Sequence, residues 1–186
     1  FACGTGDVIM GAVILNPQSK FARAIKPEIE ASLILPYQRD SIRMAFCIGD
    51  YEERVAIISA STRKLITYLQ NSPAIASVHS VLDKDNYPNF LRIRKHPNAI
   101  PGLINVTFRK EFTRFYDCLN LPKGPSLGTN FTLLMPYVLM AHYEKTKTPE
   151  GEKMLNGLGL RTDMLRISVG LEPVEQIIEA LALAGI

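Results

Sequence analysis

The sequence predicts a layered domain of the α/β or α+β class. Two observations carry that expectation: β-branched apolar runs alternate with helical patterns, and the chain ends in a strand followed by an amphipathic helix. Composition agrees, since 47% hydrophobic and 21% charged residues are ordinary for a globular chain of 186 residues and exclude wholesale disorder.

In chain order, residues 8–15 read as a buried strand stopped by Asn16 and Pro17. Residues 19–37 are a connection of mixed helical pattern interrupted by Pro27 and Pro36, and the domain boundary falls here, giving units 1–36 and 37–186. Residues 42–48 are apolar enough to extend the next helix upstream or form a neighbouring one, with Gly49 as the break. The strongest local pattern follows. Asp50 and Glu53 have the spacing of a capping box, and Val55, Ile58, Thr62, Leu65 and Leu69 make one stripe that Pro73 ends.

Residues 75–81 read as a strand, 83–101 as a loop holding Pro88 and Pro97, and 103–108 as a second strand. A short helix from Glu111 to Asn120 puts Phe112, Phe115, Tyr116 and Leu119 on one face. Gly124-Pro-Ser-Leu-Gly128 is a turn, residues 131–134 a strand, and Pro136 opens a helix. In the last strand Leu165, Ile167 and Val169 face one way while Arg166 and Ser168 face the other. A closing helix after Glu172 and Pro173 buries Val174, Ile177, Ile178 and Leu181.

Several functions are excluded or disfavoured. A net charge of +3 with no dense basic run is too weak an electrostatic footprint for nucleic acid. No apolar stretch reaches the length a membrane helix needs. Cys3, Cys47 and Cys118 are too widely spaced for a disulfide framework or a zinc site, which favours a reducing, cytoplasmic compartment and reads them as small buried apolar residues. His79, His96 and His142 lack metal-ligand spacing, so no metal is expected. Glu52, Glu53, Glu175 and Glu179 fall on solvated helix faces. Phe1-Ala-Cys-Gly-Thr-Gly-Asp7 has neither an initiator Met nor a secretory h-region, so an amino-terminal part of the protein is expected outside this sequence.

One side chain stands out. Arg166 is a guanidinium in an apolar strand, beside a hydroxyl on the same face. A buried or cleft-lining arginine needs an anionic partner, and its planar fork suits a carboxylate. The alternatives are an internal salt bridge or exposure at a sheet edge.

Leu165-Arg-Ile-Ser-Val-Gly-Leu-Glu172 with its closing helix resembles the carboxy-terminal end of the pyridoxal-phosphate enzymes of cysteine and methionine metabolism. Ser126-Leu-Gly128 is similar to that family's serine-leucine-glycine turn, and Phe1-Ala-Cys-Gly-Thr-Gly-Asp-Val-Ile-Met-Gly11 resembles the stretch following its cofactor-binding lysine. Pro101-Gly-Leu-Ile104 matches a glycine before a family strand, and Gly124-Pro-Ser-Leu-Gly-Thr-Asn-Phe131 with Asp50-Tyr-Glu-Glu-Arg54 looks like the fungal-type cystathionine γ-synthase branch.

The resemblance implies a type I aminotransferase-like fold, with the end of the large cofactor domain in 1–36 and the small α+β carboxy-terminal domain in 37–186. It implies pyridoxal 5'-phosphate bound mainly by residues outside this sequence, with the lysine immediately before Phe1. No catalytic or cofactor-binding residue is therefore assigned within the chain. Arg166 matches the arginine that clamps the substrate α-carboxylate, and Ser126 the turn residue beside it. The expected reaction is γ-replacement on an O-acylhomoserine by a thiol, in transsulfuration or methionine biosynthesis. The alternatives are γ-elimination, a specialised-pathway substitution, or a non-catalytic oligomeric scaffold. Expected partners are an amino-acid substrate and further copies of the chain, as a homodimer or homotetramer. Three positions depart from the family pattern: Phe131 stands where many members have glutamate, Thr129 where glycine is common, and Thr5 where histidine is frequent. Phe131 either shapes a pocket or packs in the core, and core packing is the expectation.

Overall fold

The computed structural model describes residues 1–110 and 112–186. One antiparallel sheet organises it: β1 (Ile75–His79), β2 (Leu103–Phe108), β3 (Leu133–Pro136) and β4 (Leu165–Ser168), in the order β1-β2-β4-β3. Alternation along β2 and β4 separates the two faces. Ile104, Val106 and Phe108 lie with Leu165, Ile167 and Val169 in the core, while Arg166 stands on the opposite face, paired in register with Asn105 and Met135.

Helices α3 (Tyr51–Asn71) and α9 (Val174–Leu183) cover the apolar face. Ile58, Thr62, Leu65 and Leu69 of α3 are buried as their spacing predicts, and Leu65 and Leu69 are wholly so. Each of those leucines is worth roughly 1.5–3 kcal/mol relative to an exposed side chain. Val174, Ile177 and Leu181 answer them from α9. The expected capping box is not formed. Asp50 sits at the N-cap with φ −100° and ψ 13°, away from the extended backbone that aims a cap side chain at the helix amides, and its carboxylate accepts from Arg54 Nε at 2.8 Å instead. Glu52, Glu53, Glu175 and Glu179 are solvent-facing, as expected.

Residues 8–15 are not a strand. They form no ladder with any described residue, and Ile9 and Ile14 are 88% and 92% exposed. An apolar run specifies burial only where a neighbouring strand completes its hydrogen bonds. Helix α1 (Lys20–Ser32) runs through Pro27; the carbonyl that Pro27 cannot reach belongs to exposed Arg23, where water can satisfy it. Ser19 caps α1 by accepting from the Ala22 amide, and α2 (Gln38–Cys47) forms the separate neighbour of α3.

The predicted loop 83–101 contains α4 (Tyr87–Ile93), with Pro88 in the first turn, where its missing N–H costs nothing. Helix α5 (Phe112–Cys118) stacks Phe115 on Phe108 and sets Phe112 against it at a tilt, both at ring-centroid distances of 5.3 Å; its expected start at Glu111 lies outside the described residues. Strand β3 begins two residues later than expected, leaving Phe131 outside it. Beyond β3, α6 (Tyr137–Ala141), α7 (Tyr143–Thr146) and α8 (Pro149–Gly157) surround a satellite cluster of Val138, Leu155 and Met164. Of the three cysteines only Cys3 is buried; Cys118 is exposed, against the expectation that all would pack inside.

No described helix is long and apolar enough to cross a membrane. Among the described residues no cluster of His, Cys, Asp or Glu could hold a metal ion.

Candidate functional site

Arg166 lies in β4, an interior strand flanked by β2 and β3, so its charge is not a sheet-edge device. Its Nη2 donates to the carbonyls of Pro125 and Ser126 at 2.6 and 3.0 Å. The guanidinium carbon stands 5.9 Å from the centroid of the Tyr137 ring. Among the described residues Nε and Nη1 make no hydrogen bond, and no carboxylate forms an ion pair with it. Burial pulls its pKa below the ordinary arginine value, with Tyr137 opposing. The result is a half-buried fork, steadied on one nitrogen and free on the other two. An arriving carboxylate would recover charge stabilisation that the fold leaves unused.

The turn that Arg166 holds is built from several directions. The Gly128 amide donates to Ser168 Oγ at 2.8 Å, so the hydroxyl beside Arg166 on its own strand supports the same loop. Gly128 has φ +69°, and a Cβ there would stand 2.6 Å from the Phe1 ring and 2.8 Å from the Phe1 backbone nitrogen. Glycine is required both for the left-handed conformation and for that approach. Thr132 is wholly buried; its hydroxyl donates to Glu172 Oε2 at 2.9 Å and accepts from the Gly170 amide at 3.0 Å, while its own amide donates to Glu172 Oε1 at 2.6 Å. Buried Thr129 donates to the Phe131 carbonyl. Segment 126–132 is thus clamped between β4, the start of α9 and the first residues of the chain.

Those first residues are held by Arg54. It is 5% exposed and spends all five N–H donors inside the protein. Nε meets Asp50 at 2.8 Å; Nη1 meets the Phe1 carbonyl at 3.2 Å and Asn130 Oδ1 at 3.3 Å; Nη2 meets the Ala2 and Cys47 carbonyls at 2.7 and 2.9 Å. The Asn130 amide in turn donates to the Gly4 carbonyl at 2.6 Å. Beside this, the Cys3 sulfur lies 2.9 Å from Thr5 Oγ1. Burial pushes the thiol pKa up, but hydrogen bonds from Thr5 and Cys47 outweigh it and leave it lowered.

The structure therefore brings Arg166 and the Ser126 turn together, and sets that turn against Phe1. Contact with Arg166 is through the Ser126 carbonyl; the Ser126 hydroxyl makes no hydrogen bond among the described residues. Phe131 is 41% exposed at the edge of the same loop, which corrects the expectation of core packing. Residue-by-residue reading gives Arg54 no role; it enters only as the last residue of the Asp50-Tyr-Glu-Glu-Arg54 motif. A signal was present: Arg54 lies four residues before Ile58, in line with the buried stripe of α3.

No protein-family model matches the chain. It is 36% identical, over 179 residues covering 96% of the chain, to an L-2-amino-4-chloropent-4-enoate dechlorinase/desaturase of Streptantibioticus cattleyicolor. It is 32% identical, over 97% of its length, to a cystathionine gamma-synthase of Neurospora crassa. The chain spans 36% and 29% of the length of these two relatives. A solved cystathionine gamma-lyase from Micromonospora echinospora shares the fold, with a TM-score of 0.72 at 21% identity over 89% of this chain and 43% of that one. By sequence along nearly its whole length, supported by the fold, the chain belongs to the pyridoxal-phosphate enzymes of cysteine and methionine metabolism and matches the carboxy-terminal part of their cystathionine γ-synthase-like members.

Proposed function

We propose that this chain supplies the substrate-carboxylate side of a pyridoxal-phosphate active site whose cofactor lysine immediately precedes Phe1 in the full-length protein. The observation that carries this is the half-engaged Arg166 fork, held on the turn that touches Phe1 and facing no carboxylate of its own chain among the described residues. Pyridoxal phosphate, when bound, accepts the electrons released as protons leave the α and β carbons of an amino acid. No residue described here reads as a holder of the cofactor itself.

The work of this chain is binding and orientation. Arg166 grips the α-carboxylate, Ser126 offers its hydroxyl beside it, and Ser168, Thr132 and Gly128 fix the loop so that the grip cannot drift. Tyr137 closes one side of the guanidinium. With the acid end held, Phe131, exposed at the edge of the same loop, is the apolar side chain this reading assigns to the neighbourhood of the leaving group or the incoming thiol. The reaction this reading takes is γ-replacement on an O-acylhomoserine by a thiol, on the likeness to the cystathionine gamma-synthase relative.

A second reading has its own support. The dechlorinase/desaturase is the relative at 36% identity, and its name places a leaving group on the fourth carbon of an amino acid. Loss of a γ-substituent without replacement fits Phe131, which brings no charged group to the far end of the substrate. In either case the exposed apolar side chains of Ile9, Ile14, Ile34 and Phe46 support their burial against more of this protein or a second copy.

Full-length protein supplied with O-acetyl- or O-succinylhomoserine, with and without cysteine, separates these readings. A thioether product that requires cysteine supports replacement, and a 2-oxo acid formed without cysteine supports elimination. Arg166→Lys is expected to lower kcat/KM by roughly 10–100-fold, because an ammonium cannot reproduce a planar fork. An unchanged kcat/KM would reject the carboxylate assignment.

A further inference from the structure

We infer that Arg54 is the positioning residue for the lysine expected immediately before Phe1, an inference that rests on the pyridoxal-phosphate reading above. Of its five acceptors, two are the consecutive carbonyls of Phe1 and Ala2, at 3.2 and 2.7 Å. A residue joined to Phe1 has its Cα fixed about 3.8 Å from that of Phe1 across a planar peptide. Whatever holds the Phe1 and Ala2 peptides therefore sets the base from which the preceding side chain projects.

Three further bonds make Arg54 a rigid anchor. The Cys47 carbonyl ties it to the end of α2, Asp50 to the start of α3, and Asn130 Oδ1 to the loop that Arg166 grips. Arg54 therefore connects the base of the lysine to the substrate-carboxylate loop through Asn130, keeping the two reacting ends of the site in register. The approach is tight, since a side chain on Gly4 (φ +75°) would strike Asn130 and stand 2.5 Å from Arg54 Nη1. The side chain reaches no substrate atom, so its role is exerted through the backbone.

The test uses the full-length protein loaded with pyridoxal phosphate and compares wild type with Arg54→Gln, Arg54→Lys and Asp50→Asn. In Arg54→Gln, kcat should fall by about tenfold or more while KM for the amino acid changes less than about threefold, because a small misplacement of a reacting group is costly to rate. The pH midpoint of the cofactor's visible absorbance should move, and amide exchange at Ala2 and Cys3 should accelerate. Arg54→Lys should recover little, because one ammonium cannot span two carbonyls, Asn130 and Asp50 together.

A folded Arg54→Gln protein with wild-type kcat and absorbance midpoint would overturn the inference, as would a lowered melting temperature with both unchanged. Should neither Arg54 variant fold, Asp50→Asn decides: its exposed carboxylate meets only Nε, and a smaller shift in the same direction supports the role while wild-type behaviour overturns it. If wild-type protein shows no visible cofactor band at all, the proposed function fails and takes this inference with it. A normal wild-type band that Arg54→Gln leaves untouched removes this inference alone.

Discussion

Thr132 offers a clean measurement of what holds the site loop in place. Its side chain is wholly buried, and its hydroxyl stands between the Glu172 carboxylate, to which it donates at 2.9 Å, and the Gly170 amide, from which it accepts at 3.0 Å. Thr132→Val keeps the shape and removes only the hydroxyl. The loss is then a hydrogen bond to a charged acceptor, about 1.5–3 kcal/mol, and a buried N–H left without a partner, about 1–3 kcal/mol. These overlap through the shared hydroxyl, so about 3 kcal/mol is expected. Thr132→Ser keeps both bonds and removes one methyl, which should cost about 1 kcal/mol. Polar satisfaction thus predicts that valine is the worse replacement, whereas packing alone predicts serine, since serine leaves a void and valine does not. Denaturant unfolding of the full-length protein, following the transition that includes this loop, gives the ranking. A serine variant less stable than the valine variant would refute the assignment of the hydroxyl as the fastening.

Other expectations follow from the same geometry. Gly128→Ala forces a Cβ into the left-handed region and against Phe1, so a stability loss of about 2 kcal/mol or more and a drop in kcat are expected; steady-state kinetics and thermal melts at wild-type-like activity would contradict the close approach. Phe131→Ala should change stability by under about 1 kcal/mol, because the ring is 41% exposed, while altering the preference among acyl leaving groups; a core-sized loss in denaturant would restore the packing interpretation. Burial pushes the Asp163 pKa up, but Arg161 and the Phe108 amide outweigh it and hold the carboxyl below the usual carboxylate range. A depressed folded-state pKa contributes stability that is present above the unfolded value and lost as pH falls through the folded one. The stability gap between wild type and Asp163→Asn should accordingly be flat above about pH 5 and shrink below about pH 4, as measured by urea unfolding across that range.

The parts of the fold legible in the sequence are those whose partners repeat at a fixed local period. The stripe of α3 and the alternation of β4 each state, from their own residues, which side is buried, and Leu65, Leu69, Leu165 and Ile167 lie where that period puts them. Arg166 was legible for the same reason: a charge that breaks a strand's pattern is visible against it. The failures share an opposite cause. Residues 8–15 have a strand's composition, but a strand is a relation to a neighbour, and composition does not supply one. Arg54 is fixed by carbonyls 53 and 52 residues away and by a side chain 76 residues away, none of which has a distinctive type. A guanidinium that binds backbone leaves no complementary residue for a sequence to display; what betrays it is its position on an otherwise apolar helical face. The two arginines make the contrast useful. Arg166 leaves donors unspent, and unspent donors in a half-buried guanidinium point to a ligand, whereas Arg54 spends every donor on its own chain and points to architecture. That the two converge on the 125–130 loop, one from β4 and the other from α3, is why substitution at either is expected to disturb catalysis: Arg166 through the substrate's grip, and Arg54 through the rate at which a held substrate reacts.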